Sequence, residues 1–243
     1  NIIVTTTRPP SEQTKGKVYT YGVTEEDLEP LKSIPSVDSI VPFARRNGQD
    51  FRYMDRLTRG EINAVTPGYR EIFNLRVVRG RFLSDTDVEI KAKVCVLAKE
   101  VADSLFRHED PIGRSVRIDE QDFTVVGVTQ AKGKVFGASQ DRFITVPIHS
   151  FKKCFASRPS IDISIKSVDQ ASLPLAEQEA RNIMRSLRHQ RPGEPDRFGV
   201  TTAETWLALY HTLTGGIFIV SIGVAAISLL VGGIVIMNIM LVS

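Results

Sequence analysis

No lysine, arginine, aspartate or glutamate follows Glu204, so the last 39 of 243 residues carry none of the chain's 31 basic and 28 acidic side chains. Cysteine is nearly missing too. Cys95 and Cys154 sit in the apolar contexts "KVCVL" and "KKCFA", which read as buried free thiols rather than a bridge and leave the redox compartment open. There is no CxxC, and the four histidines share no metal-ligand spacing. His108-Glu109 runs on into Asp110-Pro111, which excludes an HExxH zinc helix. A phosphate-cradling GxxxxGK[ST] loop is missing because Gly16-Lys17 and Gly133-Lys134 are each followed by valine. Ser139 lies in "GASQD", where Asp141 stands in place of the glycine that a nucleophile elbow requires. The acids Glu109-Asp110, Asp119-Glu120 and Asp85/Asp87 read as solvated turns, since carboxylates need a pocket before they imply catalysis. Net charge is only +3, too slight to imply nucleic acid. These absences leave no catalytic residue, metal or cofactor to assign to the chain.

What is present is a long apolar run. Leu213 to Val242 supplies 30 residues whose only polar members are Thr214, Ser221, Ser228 and Asn238. A bilayer core about 30 Å thick is crossed by about 20 apolar helical residues, whereas a helix of a soluble core is shorter and apolar on one face. The run therefore reads as a transmembrane helix, with its start projecting above the membrane. Trp206, Tyr210 and His211 suit that interface. Ser221, Ala225, Ser228 and Gly232 follow at spacings of 4, 3 and 4. They form one small-residue stripe, the kind that lets helix backbones approach in lipid. It reads as a packing seam, although small residues are also simply common in membrane helices. A seam needs partner helices, and this chain supplies none.

The charged part reads as alternating short elements. Asn1 to Thr7 is a β-branched strand. Thr24 with Asp27 fits a capping box before a short helix carrying Leu28 and Leu31, with Pro30 awkward inside it. Val37 to Ala44 and Phe51 to Met54 are strands around an Asn47-Gly48 hairpin turn, and Ile62 to Val65 is a further extended piece. "AKVCVLA" is a strand feeding a helix in which Val101 meets Leu105 and Ala102 meets Phe106. "EDPIGRSVRIDEQDFTVVGVT" reads as turn, strand, acidic turn, strand. Arg142 to Ile148 and Ile161 to Ser167 are strands, followed by a helix from Leu173 to Leu187 and a last strand, Phe198 to Thr202. Arg181, Arg185, Arg188 and Arg191 cluster at that helix's end, where cations complement exposed carbonyls, rather than on a phosphate. Strand–helix–strand at both ends around a middle block predicts an α+β fold with an inserted subdomain. Between two strands, "TQAKGKVFGASQDRF" holds Gly133, Phe136, Gly137, Gln140 and Asp141. It is either a partner-binding tip or a loop that folds back and buries Phe136.

"VVRGRFLSDTDVEIKAKVCVLAKEVADSLFRHEDPIGRSVRIDEQDFTVVGV" resembles the extracytoplasmic core of MacB-like ABC-transporter permeases. The likeness is carried by Gly80-Arg81-Phe82, Val94 to Leu97, Leu105-Phe106, Asp110 to Gly113 and Phe123 to Val128. "AAISLLVGGIVIMNIMLVS" is similar to that family's second transmembrane helix. Departures are modest: Ala98 where Gly is frequent, Val235 for the usual Gly, and Pro30 in the first helix.

The resemblance implies a discontinuous porter-like βαβ lobe (1–65 and 136–204), an inserted small α/β lobe (66–135), and a stalk with a transmembrane helix (205–243). It implies a chain that begins just after a first membrane helix and ends before a segment that engages the ATPase. It implies a bacterial inner-membrane location with the soluble part in the periplasm. The partners implied are an ABC ATPase subunit or domain carrying ATP and Mg, a second permease copy, membrane lipid, and an adaptor with an outer-membrane channel. The expected role is transmission of ATP-driven helix motion to the soluble lobes for export, with Gly215-Gly216 as a hinge. Lipoprotein release and cell-wall-hydrolase regulation are alternatives among cousins. A membrane-anchored sensor is the rival from another class.

Overall fold

The computed structural model describes residues 2–5, 23, 27–107, 109–135, 138–155, 161–194, 196 and 198–242. In chain order its elements are β1 (Ile2–Thr5), α1 (Leu28–Lys32), β2 (Val37–Tyr53), β3 (Arg56–Val65), α2 (Tyr69–Ile72), β4 (Val77–Gly80), α3 (Asp85–Glu89), β5 (Val94–Leu97) and α4 (Lys99–Phe106). There follow β6 (Ser115–Ile118), β7 (Gln121–Thr129), β8 (Lys134–Val135), β9 (Ala138–Ser139), β10 (Phe143–Pro147), α5 (Ile148–Phe155), β11 (Asp162–Ser167), α6 (Leu173–Leu187), β12 (Gly199–Thr202) and α7 (Ala203–Val242). Two compact units result, Asn1–Val200 and Thr201–Ser243. The fold is α+β with one long apolar helix, as the sequence pattern predicts.

One sheet of ten strands runs in the order β12-β1-β11-β2-β3-β10-β5-β7-β4. β6 pairs with both β7 and β2, so β2, β3, β10, β5, β7 and β6 close a hydrogen-bonded ring. β3 and β10 are parallel, as are β5 and β7. Parallel neighbours need a crossover, and the segment from Thr66 to Arg142 supplies the one between β3 and β10. Strand side chains alternate between faces, and the ring's strands split accordingly. Phe51, Ile62, Cys95, Leu97, Val116, Phe123, Val125, Ile144 and Val146 share one core with the buried faces of α4 and α5. Val41, Phe43, Val65, Val96 and Phe143 face the other way, under Tyr69, Ile72, Leu75 and Phe82. A third core lies where α1 and α6 cover β11: Leu31, Ile34, Ile163, Ile165, Ala176, Ala180 and Met184.

Charges near these cores are paired. Arg188 at the end of α6 meets the buried Asp27 carboxylate at 2.7 Å. Arg181 and Arg185 converge on Asp196, and Arg185 also donates to the carbonyls of Glu194 and Arg191. The side chains of Arg181, Arg185 and Arg188 are thus tied up at the helix end. Pro30 costs α1 little, because it sits in the first turn, where backbone N–H groups have no intrahelical acceptor. Thr24, the expected cap, lies outside the described residues. Both cysteines are free, Cys95 buried and Cys154 half-buried, and burial pushes the Cys95 thiol up.

Two local expectations are corrected. Asn47-Gly48 is no hairpin turn: β2 runs straight through as one strand of 17 residues, with its register to β3 shifting between Arg46 and Gln49. Gly48, at φ 71°, absorbs that irregularity. The hairpin turns instead at Met54-Asp55, between the paired Tyr53 and Arg56. Asp87 is no solvated turn residue either. It is buried, closes a capping box with Ser84 at the start of α3, and binds Arg81 at 2.5 and 3.0 Å. The Arg81 guanidinium, with help from Ser84, holds its carboxyl down at about 2 against the opposing effect of burial.

The residues that carry the family resemblance do structural work. Gly80 (φ 71°) pairs with Gly127, and a Cβ on Gly80 would stand 2.2 Å from the Val126 carbonyl oxygen. Asp110 accepts from the Ile112 N–H at 3.1 Å and meets Arg79 at 3.0 Å. Gly113, at φ 78°, donates to the Val125 carbonyl at 2.8 Å.

Candidate functional site

The loop singled out in the sequence forms a small hairpin, β8 with β9, and is pinned from below. Both Asp141 carboxylate oxygens accept backbone N–H groups, from Lys132 and Gly133, each at 2.8 Å. The Gln140 N–H donates to the Gly133 carbonyl at 3.0 Å. Ser139 donates to Glu100, which also pairs with Arg142. Asp141 is buried and Gln140 exposed. Gly133 (φ 92°) has open space where a Cβ would lie. Phe136 and Gly137 lie outside the described residues, so both fates foreseen for that aromatic stay open.

This loop borders a cleft on the Phe43 face of β2, β3 and β10. Register sets Arg45 beside Asn63, and Asn63 beside Thr145, so the three share that face. The cleft encloses about 390 Å³. Its polar lining is Arg45, Glu61, Asn63, Lys132 and Gln140, and its apolar lining is Tyr69, Phe73, Leu75 and Phe143. Tyr69 and Phe73 stack with ring centres 4.1 Å apart. The Lys132 ammonium lies 5.9 Å from the Phe143 ring centre, and the Arg45 guanidinium 4.9 Å from that of Phe43. Arg45 approaches the Glu61 carboxylate only to 3.7 Å. Asn63 is 7% exposed, and its Oδ1 has no hydrogen-bond partner among the described residues; the Thr145 hydroxyl, fully buried beside it, shares that condition.

Partial or full burial acts on Glu61, Lys132 and Tyr69. It raises the Glu61 carboxyl, against the pull of Arg45. It lowers the Lys132 ammonium, an effect that Asp141 opposes and Arg45 reinforces. It pushes the Tyr69 phenol up to about 12. A second cleft of about 310 Å³ shares Glu61, Gln140 and Phe143 and reaches the Asn47-Gly48 bulge. Among the described residues no group of three His, Cys, Asp or Glu side chains could hold a metal. Sequence reasoning missed Arg45, Asn63 and Lys132, which come from three separate segments. The one local signal was an amide inside the apolar run "INAV".

α7 is a single helix of 40 residues. Its stretch Thr214–Leu241 has a mean hydropathy of 2.7, long and apolar enough to cross a membrane. Ser221, Ala225, Ser228 and Gly232 are all exposed on it. Ser228 donates back to the Val224 carbonyl at 2.9 Å, one turn earlier. The helix passes through Gly215 and Gly216 without a break, and both are exposed. The side-chain placements of Trp206, Tyr210 and His211 lie outside what is described.

Residues 1–183 match the family described as MacB-like periplasmic core domain. The macrolide export ATP-binding/permease protein MacB of Hahella chejuensis is 34% identical over 219 residues, covering 89% of this chain and 33% of that protein. The pyoverdine export ATP-binding/permease protein PvdT of Pseudomonas syringae pv. syringae is 32% identical, covering 90% of this chain and 33% of that protein. The chain therefore spans about a third of these relatives' length. Among solved structures, the periplasmic region of MacB from Actinobacillus actinomycetemcomitans superposes with a TM-score of 0.69 at 16% identity, covering 86% of this chain and 92% of that one.

Proposed function

Because this chain belongs to the family of MacB-like periplasmic core domains, we propose that it forms the extracytoplasmic part and one membrane helix of an ABC-transporter permease working in export. One observation carries the mechanical side of this reading. The last sheet strand ends at Thr202 and α7 begins at Ala203, with no linker between. A helix rises about 1.5 Å per residue, so α7 is about 60 Å long, roughly twice a bilayer core. Half of it is thus free to act as a stalk. In this account an ATPase, on a separate chain or fused, hydrolyses ATP and shifts the membrane helices. α7 carries the shift to the soluble unit, where a lobe of 1–65 with 136–204 and an inserted lobe of 66–135 close on cargo. The two named relatives support export, one of macrolides and one of pyoverdine; the cargo of this chain is left to experiment.

Gly215-Gly216 is the hinge in this scheme, since each glycine is about 1 kcal/mol less favourable than alanine in a helix. The small-residue stripe packs α7 against another membrane helix or a second permease copy. The first test is gentle solubilisation of the full-length protein from its membrane. Recovery of an ATPase together with a periplasmic adaptor supports export. Recovery of neither contradicts it and favours the second reading, a membrane-anchored binding domain, which the 390 Å³ cleft makes specific. The hinge has its own test: Gly215→Ala with Gly216→Ala should cut export several-fold while ATP hydrolysis continues. Unchanged export would remove the hinge.

A further inference from the structure

The cleft between the Arg45 face of the sheet and the Lys132 loop is a built site that the export reading does not use. Its lining holds two cations, Arg45 and Lys132, against the single carboxylate of Glu61. Arg45 is not hydrogen-bonded to Glu61, which it approaches only to 3.7 Å, and no described carboxylate lies within ion-pair distance of the Lys132 ammonium. The lining itself thus carries two cations and one anion, while Asp141, outside the lining, attracts the Lys132 ammonium but spends both carboxylate oxygens on the Lys132 and Gly133 N–H groups. Beneath them Asn63 is buried with an unpartnered Oδ1. A buried amide oxygen without a partner is destabilising, and a ligand N–H or O–H would supply the missing bond. The walls are flat and apolar, with the stacked pair Tyr69 and Phe73 on one side and Phe143 opposite Lys132.

We propose that this cleft binds a small planar organic anion: its carboxylate between Arg45 and Lys132, its ring against Tyr69, Phe73 and Phe143, and a hydroxyl or amine hydrogen donated to Asn63. Each requirement comes from a different part of the site, so the ligand class is an aromatic carboxylate carrying a distal donor. The assignment stands whether the chain works in export or as an anchored binding domain.

Isothermal titration of the full chain in lipid nanodiscs, corrected with empty discs, tests this with three probes. 6-Hydroxy-2-naphthoate carries the carboxylate, the ring and the donor; 2-naphthoate lacks the donor; 2-naphthylmethylamine reverses the charge. The hydroxynaphthoate should bind saturably, one per chain, and about tenfold or more tighter than the amine, as charge-assisted hydrogen bonding implies. 2-Naphthoate should fall between them. Lys132→Gln, at an exposed loop position, should weaken the hydroxynaphthoate about tenfold and leave the amine unchanged. Arg45→Gln should do the same. Equal binding of anion and amine, insensitivity to both substitutions, or no saturable hydroxynaphthoate binding at millimolar concentration would each overturn the proposal.

Discussion

The two compact units send the same residue types to opposite places. In Asn1–Val200 the large apolar side chains Phe51, Leu105 and Phe106 are at most 1% exposed, while on α7 Leu229 is 81% exposed. The first unit alternates polar and apolar residues, and its buried carboxylates meet arginines (Asp27 and Asp87) or backbone N–H groups (Asp141). Over Thr214–Leu241 α7 is apolar with no buried face, the pattern of a helix long and apolar enough to cross a membrane. Charge separates the two, since no Lys, Arg, Asp or Glu follows Glu204, and so does patterning. Where strands alternate, the apolar residues make a core inside the chain. Where the run is unbroken, they make a surface for something outside it.

The largest expected effect sharpens that contrast. Phe106→Ala removes a side chain packed against Tyr53 in the ring core and should cost about 3–5 kcal/mol in urea unfolding. Leu229→Ala in α7 should leave the same transition unmoved in detergent. A matching shift from Leu229→Ala would break the division between the units. Next in size is Arg188→Leu, which leaves the buried Asp27 carboxylate without this partner. Breaking such a pair costs about 3 kcal/mol, visible as a lower midpoint for the first unit.

Third comes acid. The folded Asp87 carboxyl lies at about 2, below its ordinary 3.8. A carboxyl lowered in the folded state contributes stability above its unfolded pKa and loses it as pH falls through the folded value. About 2 kcal/mol should therefore disappear between pH 4 and 2. Asp87→Asn should lower stability at neutral pH and flatten that part of the acid profile. A wild-type profile unchanged by the substitution would remove Asp87 from the account. The smallest effect belongs to the seam. Ala225→Leu should weaken α7 self-association or bundling by about 1 kcal/mol, read by energy transfer between labelled helices in bilayers, and leave the unfolding of the first unit untouched.

Much of the fold was legible in residue patterns. Ile161, Ile163 and Ile165 alternate and are all buried; the apolar spacing from Leu173 to Leu187 is α6, and the acidic Asp119-Glu120 turn joins β6 to β7. What failed was local chemistry judged without its long-range partners. Asn47-Gly48 suits a tight turn, but β3 is long enough to pair with both halves of β2, and that ladder keeps the strand running. The true turn at Met54-Asp55 has neither Gly nor Asn to announce it. Ser84-x-x-Asp87 has the same Ser/Thr-x-x-Asp pattern as Thr24 and Asp27, but the Arg81 that binds Asp87 precedes the helix and is not part of that pattern. α5 starts directly after Pro147, with no side-chain cap to mark it. The cleft was illegible for the same reason: Arg45, Asn63 and Lys132 meet only because β2, β3 and the loop before β8 are brought to one face by pairing at long range.

The claim that joins the two units is that α7 transmits motion to the sheet because it follows β12 without a linker. The most direct measurement inserts a four-residue Gly-Ser segment between Thr202 and Ala203 of the full-length permease, reconstituted with its ATPase, and records ATP hydrolysis and export together. The account predicts hydrolysis retained and export lost. Export retained at the normal rate across that flexible joint would contradict it.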